Sequence, residues 1–70
     1  MSRDKIEVEG KVIAEYRGDF FDIQLGNEAI VRARRSGRMN LHKIKVVVGD
    51  SVIVELSPYD LTKGRITYRL

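Results

Sequence analysis

Residues 36–45 read Ser-Gly-Arg-Met-Asn-Leu-His-Lys-Ile-Lys, and this stretch decides the fold. On either side of it the chain alternates apolar and polar residues, the period of two that marks a half-buried strand. Within it the alternation stops. A single helical turn fits instead, with Met39 and either His42 or Lys43 on one side. Ser36 is placed to cap that turn, and Gly37 inside it weakens anything longer. The stretch is read as a short helical or 3₁₀ segment within a connector.

Three strands precede the connector. Residues 5–16 put Ile6, Val8, Val12, Ala14 and Tyr16 in one phase and Lys5, Glu7, Glu9, Lys11 and Glu15 in the other, with Ile13 breaking the pattern. Gly10 stands mid-strand, where glycine costs stability unless a bend or bulge needs it. After a turn at Arg17-Gly18-Asp19, Phe21, Ile23 and Leu25 share a face. Gly26-Asn27 fits a two-residue hairpin turn, since both residues tolerate positive φ. The third strand runs from about Glu28 to Arg34, with Ala29, Val31 and Ala33 on one side.

Two strands follow. Gly49-Asp50 turns the chain into a fourth strand carrying Val52, Val54 and Leu56 in phase. Ser57-Pro58-Tyr59-Asp60 is a turn with proline where its fixed φ fits. The fifth strand, about Lys63 to Arg69, sets Ile66, Tyr68 and Leu70 on one face. A three-stranded meander, a helical connector and two more strands predict an all-β chain. Together with a kinked first strand able to serve both sides, they describe a five-stranded OB-fold barrel of the S1-like kind. Small SH3-type barrels compete; the length and place of the connector favour the OB-fold.

Seventy residues make one domain over 1–70. A domain of this size buries only about 60% of the surface its unfolded chain exposes. There is no cysteine and only one histidine, so neither a disulfide nor an ordinary structural zinc site is expected, and no cofactor is. The polar start, Met-Ser-Arg-Asp-Lys, argues against a secretory leader. No apolar run exceeds three residues, as in Val46-Val47-Val48, which is far too short to span a membrane. A cytoplasmic protein is expected.

Charge is distributed unevenly. The net charge is only +3, yet residues 32–45 hold six basic side chains and no acidic one, while residues 1–31 hold seven of the ten acidic ones. A solvated loop is the bland explanation of such a run. Two features point instead to a phosphate backbone. The run is mostly arginine, whose planar fork pairs with phosphate as lysine cannot. Ser36-Gly37 can also turn backbone N–H groups toward an anion. Each neutralised phosphate releases bound counterions, which rewards clustered charge of this kind.

Catalytic readings fare poorly. His42 lies alone in the basic loop, and Ser2, Ser36, Ser51 and Ser57 lack a nearby base with an orienting partner. Glu7 and Glu9 share a strand face but read as a solvated surface. Among the aromatics, Phe21 and Tyr68 are in phase with the core. Phe20 and Tyr16 can either stack a base or cover the barrel, and Tyr59 is expected to brace its turn. So few aromatics suit a structured RNA surface read by charge and shape more than a row of stacked bases.

Three blocks carry a family resemblance. They are Ile6-Glu7-Val8-Glu9-Gly10-Lys11-Val12, Ser36-Gly37-Arg38-Met39, and the long run from Gly49-Asp50-Ser51-Val52 through Ser57-Pro58-Tyr59-Asp60-Leu61-Thr62-Lys63-Gly64-Arg65-Ile66. The chain resembles the bacterial translation initiation factor one family over nearly its whole length. The resemblance implies an S1-type OB domain that binds the small ribosomal subunit at the aminoacyl-tRNA site. There it would meet the ribosomal RNA of the decoding region and a neighbouring ribosomal protein, block premature tRNA entry, and work with the other two initiation factors. Carried over, the family's RNA contacts fall on Arg38, Lys45 and Arg65. The chain departs from the pattern at Asn40, where relatives usually carry arginine, and at Leu41 and Lys43, where a basic residue and an aromatic are usual. Arg34 and Arg35 stand where a histidine and an apolar residue are usual. The candidate RNA-contact set is Arg34, Arg35, Arg38, Asn40, His42, Lys43, Lys45, Arg65 and Arg69.

Two other functions compete: a generic single-stranded RNA binder or chaperone of the S1 or cold-shock kind, and a small-barrel module whose basic loop meets an acidic protein. The RNA readings require cationic groups of the connector and the last strand to converge on one exterior face, free of the chain's own carboxylates.

Overall fold

The computed structural model describes residues 6–70, so Lys5, the expected first residue of the first strand, lies outside the described residues. Five strands form a closed barrel: β1 (Ile6–Tyr16), β2 (Phe20–Leu25), β3 (Ile30–Arg35), β4 (Ser51–Ser57) and β5 (Asp60–Arg69), with the short helix α1 (Gly37–Leu41) between β3 and β4. Around the barrel the order is β1-β2-β3-β5-β4. This is the expected OB-fold, with its connector in the expected place. All neighbours are antiparallel except β3 and β5, which run parallel because α1 and β4 intervene in the chain.

The first strand serves both sides. Its N-terminal half pairs with β4, from Ile6↔Leu56 to Lys11↔Ser51, and its C-terminal half with β2, from Gly10↔Leu25 to Tyr16↔Phe20. The handover falls on Gly10 and Lys11, which have partners on both flanks. A Cβ on Gly10 would stand 2.5 Å from Ile23 Cγ2 and 3.0 Å from the Gln24 carbonyl oxygen, so only glycine lets β2 come this close. A β-bulge between Val12 and Ala14 accounts for Ile13, which is pushed outward.

The core is built from the inward phase of every strand: Val12, Phe21, Ile23, Val31, Ala33, Val52, Val54, Leu56 and Ile66. Met39 and Val46, from the connector, join it, with Val8, Leu25 and Ile44 packed at its margin. Ile6 keeps the inward phase but sits at the start of β1 and is exposed, whereas the bulge flips the phase and sets Tyr16 beside Phe20 on the outside of the barrel.

Four details differ from the sequence expectation. Tyr68 is 64% exposed and is no core residue. A register shift sets Val54 opposite Ile66 but Ile53 opposite Tyr68, so Thr67 is an extra residue and the phase of β5 flips after it. β5 also begins at Asp60, ahead of the expected Lys63, because Ser57 and Asp60 pair across a tight Pro58-Tyr59 turn. Tyr59 braces nothing: its ring is almost wholly exposed, and it is the backbone N–H that is held, by Ser57 Oγ at 3.2 Å.

The fourth concerns the β2–β3 hairpin. Its positive φ falls on Glu28 (69°), not on Gly26 or Asn27, and β3 starts at Ile30. The Glu28 N–H donates to the Leu25 carbonyl and the Leu25 N–H to the Ala29 carbonyl, each at 2.9 Å. This is a three-residue loop, a turn closed by a left-handed residue. Glutamate is strained in that conformation. Glu28→Gly should therefore raise stability by about 0.5–1 kcal/mol, read as a higher urea midpoint at unchanged slope. A lower midpoint would show that the extra freedom of glycine in the unfolded chain outweighs the relief.

Candidate nucleic-acid interface

The connector is anchored at both ends and exposed between them. Ser36 is 8% exposed; its N–H donates to the Ile66 carbonyl at 2.9 Å, and its Oγ accepts from the Met39 N–H at 3.3 Å. This cap is the one the sequence suggested. Met39 then plunges into the core. At the far end the Ile44 N–H bonds back to the Met39 carbonyl at 3.0 Å and the Lys43 N–H to the Asn40 carbonyl at 3.1 Å. That is a Schellman ending, with His42 as C-cap and Lys43, at φ 56°, in the left-handed position usually given to glycine. Half-buried Ile44 and buried Val46 complete the anchor. Asn40, Leu41, His42 and Lys43 form an exposed arch between the two fixed points, and Lys45 is exposed beyond it.

A belt of side chains runs across the outside of the barrel. Cross-strand register lines up Tyr16, Phe20, Arg34, Arg65, Glu55 and Glu7, one from each successive strand position. The parallel β3–β5 pairing thus sets Arg34 directly beside Arg65. Next to them, Arg38 of α1 and Arg65 line an open groove of about 720 Å³ with Glu7, Glu55, Ser36, Thr67 and Tyr68. Arg65 is held but not covered: its Nε donates to Glu55 Oε1 at 3.1 Å while its side chain stays 62% exposed. The partner carboxylate is only 12% exposed. A guanidinium so exposed gains little from the ion pair and keeps an open face toward solvent.

The expected convergence is therefore real for some residues and not for others. Arg38 and Arg65 line the groove, and Arg34 stands beside Arg65 across the β3–β5 seam without lining it. Lys45 and Arg69 form a second pair, in which Arg69 Nη1 donates to the Lys45 carbonyl at 2.9 Å and ties the end of β5 to the connector. Among the described residues, Arg34, Arg38, Lys43 and Lys45 have no carboxylate partner. Arg35 points to the other face of β3 from Arg34. Its guanidinium pairs with Asp19 at 3.0 Å and donates to the Ile44 carbonyl at 3.1 Å, bracing the connector against the β1–β2 turn. Sequence reading missed Tyr68 as a wall of the groove; strand alternation hides it, because only the bulge at Thr67 turns it outward.

Ser36 and Ser57 spend their hydroxyls on backbone N–H groups. Among the described residues no cluster of three or more His, Cys, Asp or Glu could hold a metal ion. An exposed cationic arch beside a groove that carries two arginines and two glutamates offers its positive charge mainly from the arch, which is suited to a polyanion.

Comparison with known proteins agrees with this fold. The family model "Translation initiation factor 1A / IF-1" matches residues 1–70. A curated translation initiation factor IF-1 from Solibacter usitatus (strain Ellin6076) is 50% identical over 66 residues, covering 94% of this chain and 92% of that protein. The solution structure of the translation initiation factor IF-1 from the Wolbachia endosymbiont (strain TRS) of Brugia malayi superposes with a TM-score of 0.83 at 41% identity, over 99% of this chain and 82% of that one. YjeQ from Thermotoga maritima matches in fold alone, with a TM-score of 0.74 at 20% identity over 93% of this chain and 23% of that one. With barrel, connector and sequence in agreement, this chain belongs to the translation initiation factor 1A / IF-1 family, as a bacterial-type IF-1.

Proposed function

We propose that this chain, as one domain over residues 1–70, is a cytoplasmic initiation factor that binds the small ribosomal subunit at the A site. It does so through ribosomal RNA of the decoding region and a neighbouring ribosomal protein, blocks premature tRNA entry, and supports assembly with the other two initiation factors. It binds and performs no catalysis. The observation that carries this reading is the arch of α1, fixed at Met39 and Ile44, standing beside the groove that Arg38 and Arg65 line, with Arg34 next to Arg65 on the belt. Rigid presentation of cations spares the ordering entropy that a mobile loop would lose on binding.

Sucrose-gradient co-sedimentation with isolated small subunits, with and without the other two factors, tests the proposal. The chain is expected to travel with the subunit, more completely when the other factors are present, and to exclude A-site tRNA. Equal retention by the same mass of unstructured RNA would overturn it. Neutralising about four to six phosphates should make log affinity fall against log salt with a slope of about −3 to −5, steeper than an acidic protein partner would give.

The Arg65–Glu55 pair yields a signed prediction. Arg65→Ala should lower subunit affinity by about 1–2 kcal/mol, the worth of one charged hydrogen bond. Glu55→Gln should raise it, because a carboxylate beside the groove disappears while the arginine remains. Equal losses from both substitutions would mean that the ion pair acts only as a strut.

A further inference from the structure

The connector is held shut by a side chain that stands outside it. Arg35, just before the Ser36 cap, and Ile44, just after the Schellman turn, lie nine residues apart in the chain, and Arg35 Nη1 joins them by donating to the Ile44 carbonyl at 3.1 Å. The other terminal nitrogen, Nη2, pairs with Asp19 Oδ1 at 3.0 Å. Asp19 belongs to the turn between β1 and β2 and holds a left-handed φ of 63°. One guanidinium therefore ties the foot of the arch to a turn remote from it in sequence. The remaining donor, Nε, is buried and has no hydrogen-bond partner among the described residues.

An arginine that meets a polyanion is placed differently. The Arg32 and Arg65 side chains keep 56% and 62% of their surface in solvent, whereas the Arg35 side chain keeps 21%. Its head faces inward with each terminal nitrogen engaged, and a phosphate would have to displace both partners. Packing alone does not explain it either, since an apolar residue of similar length would leave no orphaned N–H. The buried Nε is a cost, and the two bonds made by the fork are what offsets it.

Those bonds fall where the arch is weakest. Lys43 takes a left-handed φ of 56° just before Ile44, a conformation that a residue with a Cβ adopts at a cost. α1 has only five residues, too few to hold a helix by themselves. The Ile44 N–H is already bonded to the Met39 carbonyl, so with Arg35 on its carbonyl both backbone groups of Ile44 are fixed. Releasing that carbonyl would let the strained turn relax and free Asn40 to Lys43 from their common pose.

We infer that Arg35 is a positioning residue for subunit binding: it touches no RNA, and it sets the affinity of the arch by clamping Ile44 to the β1–β2 turn through Asp19. This deepens the ribosomal reading above and rests on it. The clamp gives Asp19 an effect opposite in sign to simple electrostatics. Removing a carboxylate near a polyanion site strengthens binding. Removing one that holds the clamp weakens it, because a looser arch loses more entropy on docking.

Amide hydrogen exchange of the free protein, and titration of the labelled protein against small subunits across a salt series, test the assignment. Arg35→Met keeps the packing of the stem and removes every donor. It should speed exchange at Lys43 and Ile44 about tenfold while Ile23 and Val54 exchange as in the wild type. Subunit affinity should fall about fivefold at every salt concentration, the added ordering cost of a looser arch. The log–log slope should not change, where a lost phosphate contact would lower it by about 0.7–0.9. Asp19→Gly, which suits the left-handed φ, should also speed exchange at Ile44 and weaken binding by about threefold, less than Arg35→Met because the ion pair is partly exposed. The double variant should lose no more than Arg35→Met alone, since Asp19 acts only through Arg35. The assignment is overturned if Arg35→Met leaves exchange at Lys43 and Ile44 unchanged, or if its salt slope falls along with its affinity. It is also overturned if the core amides quicken as much as those of the connector, or if Asp19→Gly tightens subunit binding. Should the wild-type chain fail to travel with subunits, the ribosomal reading falls by itself, and exchange in the free protein still decides whether Arg35 clamps the arch.

Discussion

Phe21→Ala is expected to leave the chain largely unfolded at room temperature. Phe21 is 2% exposed and is the largest side chain wholly enclosed by the barrel. Its cross-strand neighbour on β3 is Ala33, so a small residue there leaves room for the ring. Truncating a buried phenylalanine costs about 3–5 kcal/mol. A single core in a chain this short rarely supplies more than about 3–5 kcal/mol in total, and no disulfide is present to help. Cost and reserve are therefore comparable. Far-ultraviolet circular dichroism and a urea titration at room temperature provide the check, with Phe21→Leu as the companion that should stay folded. A Phe21→Ala protein melting within a few degrees of wild type would mean that the barrel interior is not organised around this ring.

The second large effect is functional. Arg38→Ala/Lys45→Ala should lower small-subunit affinity about 100-fold, or about 3 kcal/mol, if each side chain makes one charged hydrogen bond to RNA. The salt slope should fall by about 2 at the same time. Stability should not change. Neither side chain has a carboxylate partner among the described residues, and the anchors at Met39, Ile44 and Val46 are untouched. Unchanged binding by a folded double variant would remove the connector from the interface and leave the groove without its main wall.

Most of the barrel was legible in the sequence because strand burial has a period of two, and this chain obeys it in Phe21-Ile23, Val31-Ala33 and Val52-Val54-Leu56. The break at Ile13 was visible too, and it is a bulge. Thr67 left no such mark: Ile66, Tyr68 and Leu70 look like an unbroken apolar phase, and only pairing with β4 reveals the extra residue. Turn geometry was similarly opaque. Gly26-Asn27 advertised a two-residue turn, yet the left-handed position went to Glu28, whose side chain gives no hint of it. Basic character was easy to read, but its apportioning was not. Arg34 and Arg35 are adjacent and chemically identical, yet alternation sends one to the belt and the other into a brace with Asp19 and the Ile44 carbonyl. The partners that decide this come from other strands and from the loops beyond them, where local patterns carry no information.

The parallel seam between β3 and β5 has a consequence for how the factor is made. Arg34 and Arg65 are neighbours although the whole connector and β4 lie between them in the chain, and the last strand supplies half of that contact. During synthesis one edge of β3 stays unpaired until residues 63–66 of β5 have left the ribosome, so the nascent chain carries an open edge while the connector and β4 are made. Long-range closure of this kind is also slow. The groove lined by Arg38 and Arg65 does not exist before the seam zips, so a chain that stops short of β5 has no such surface.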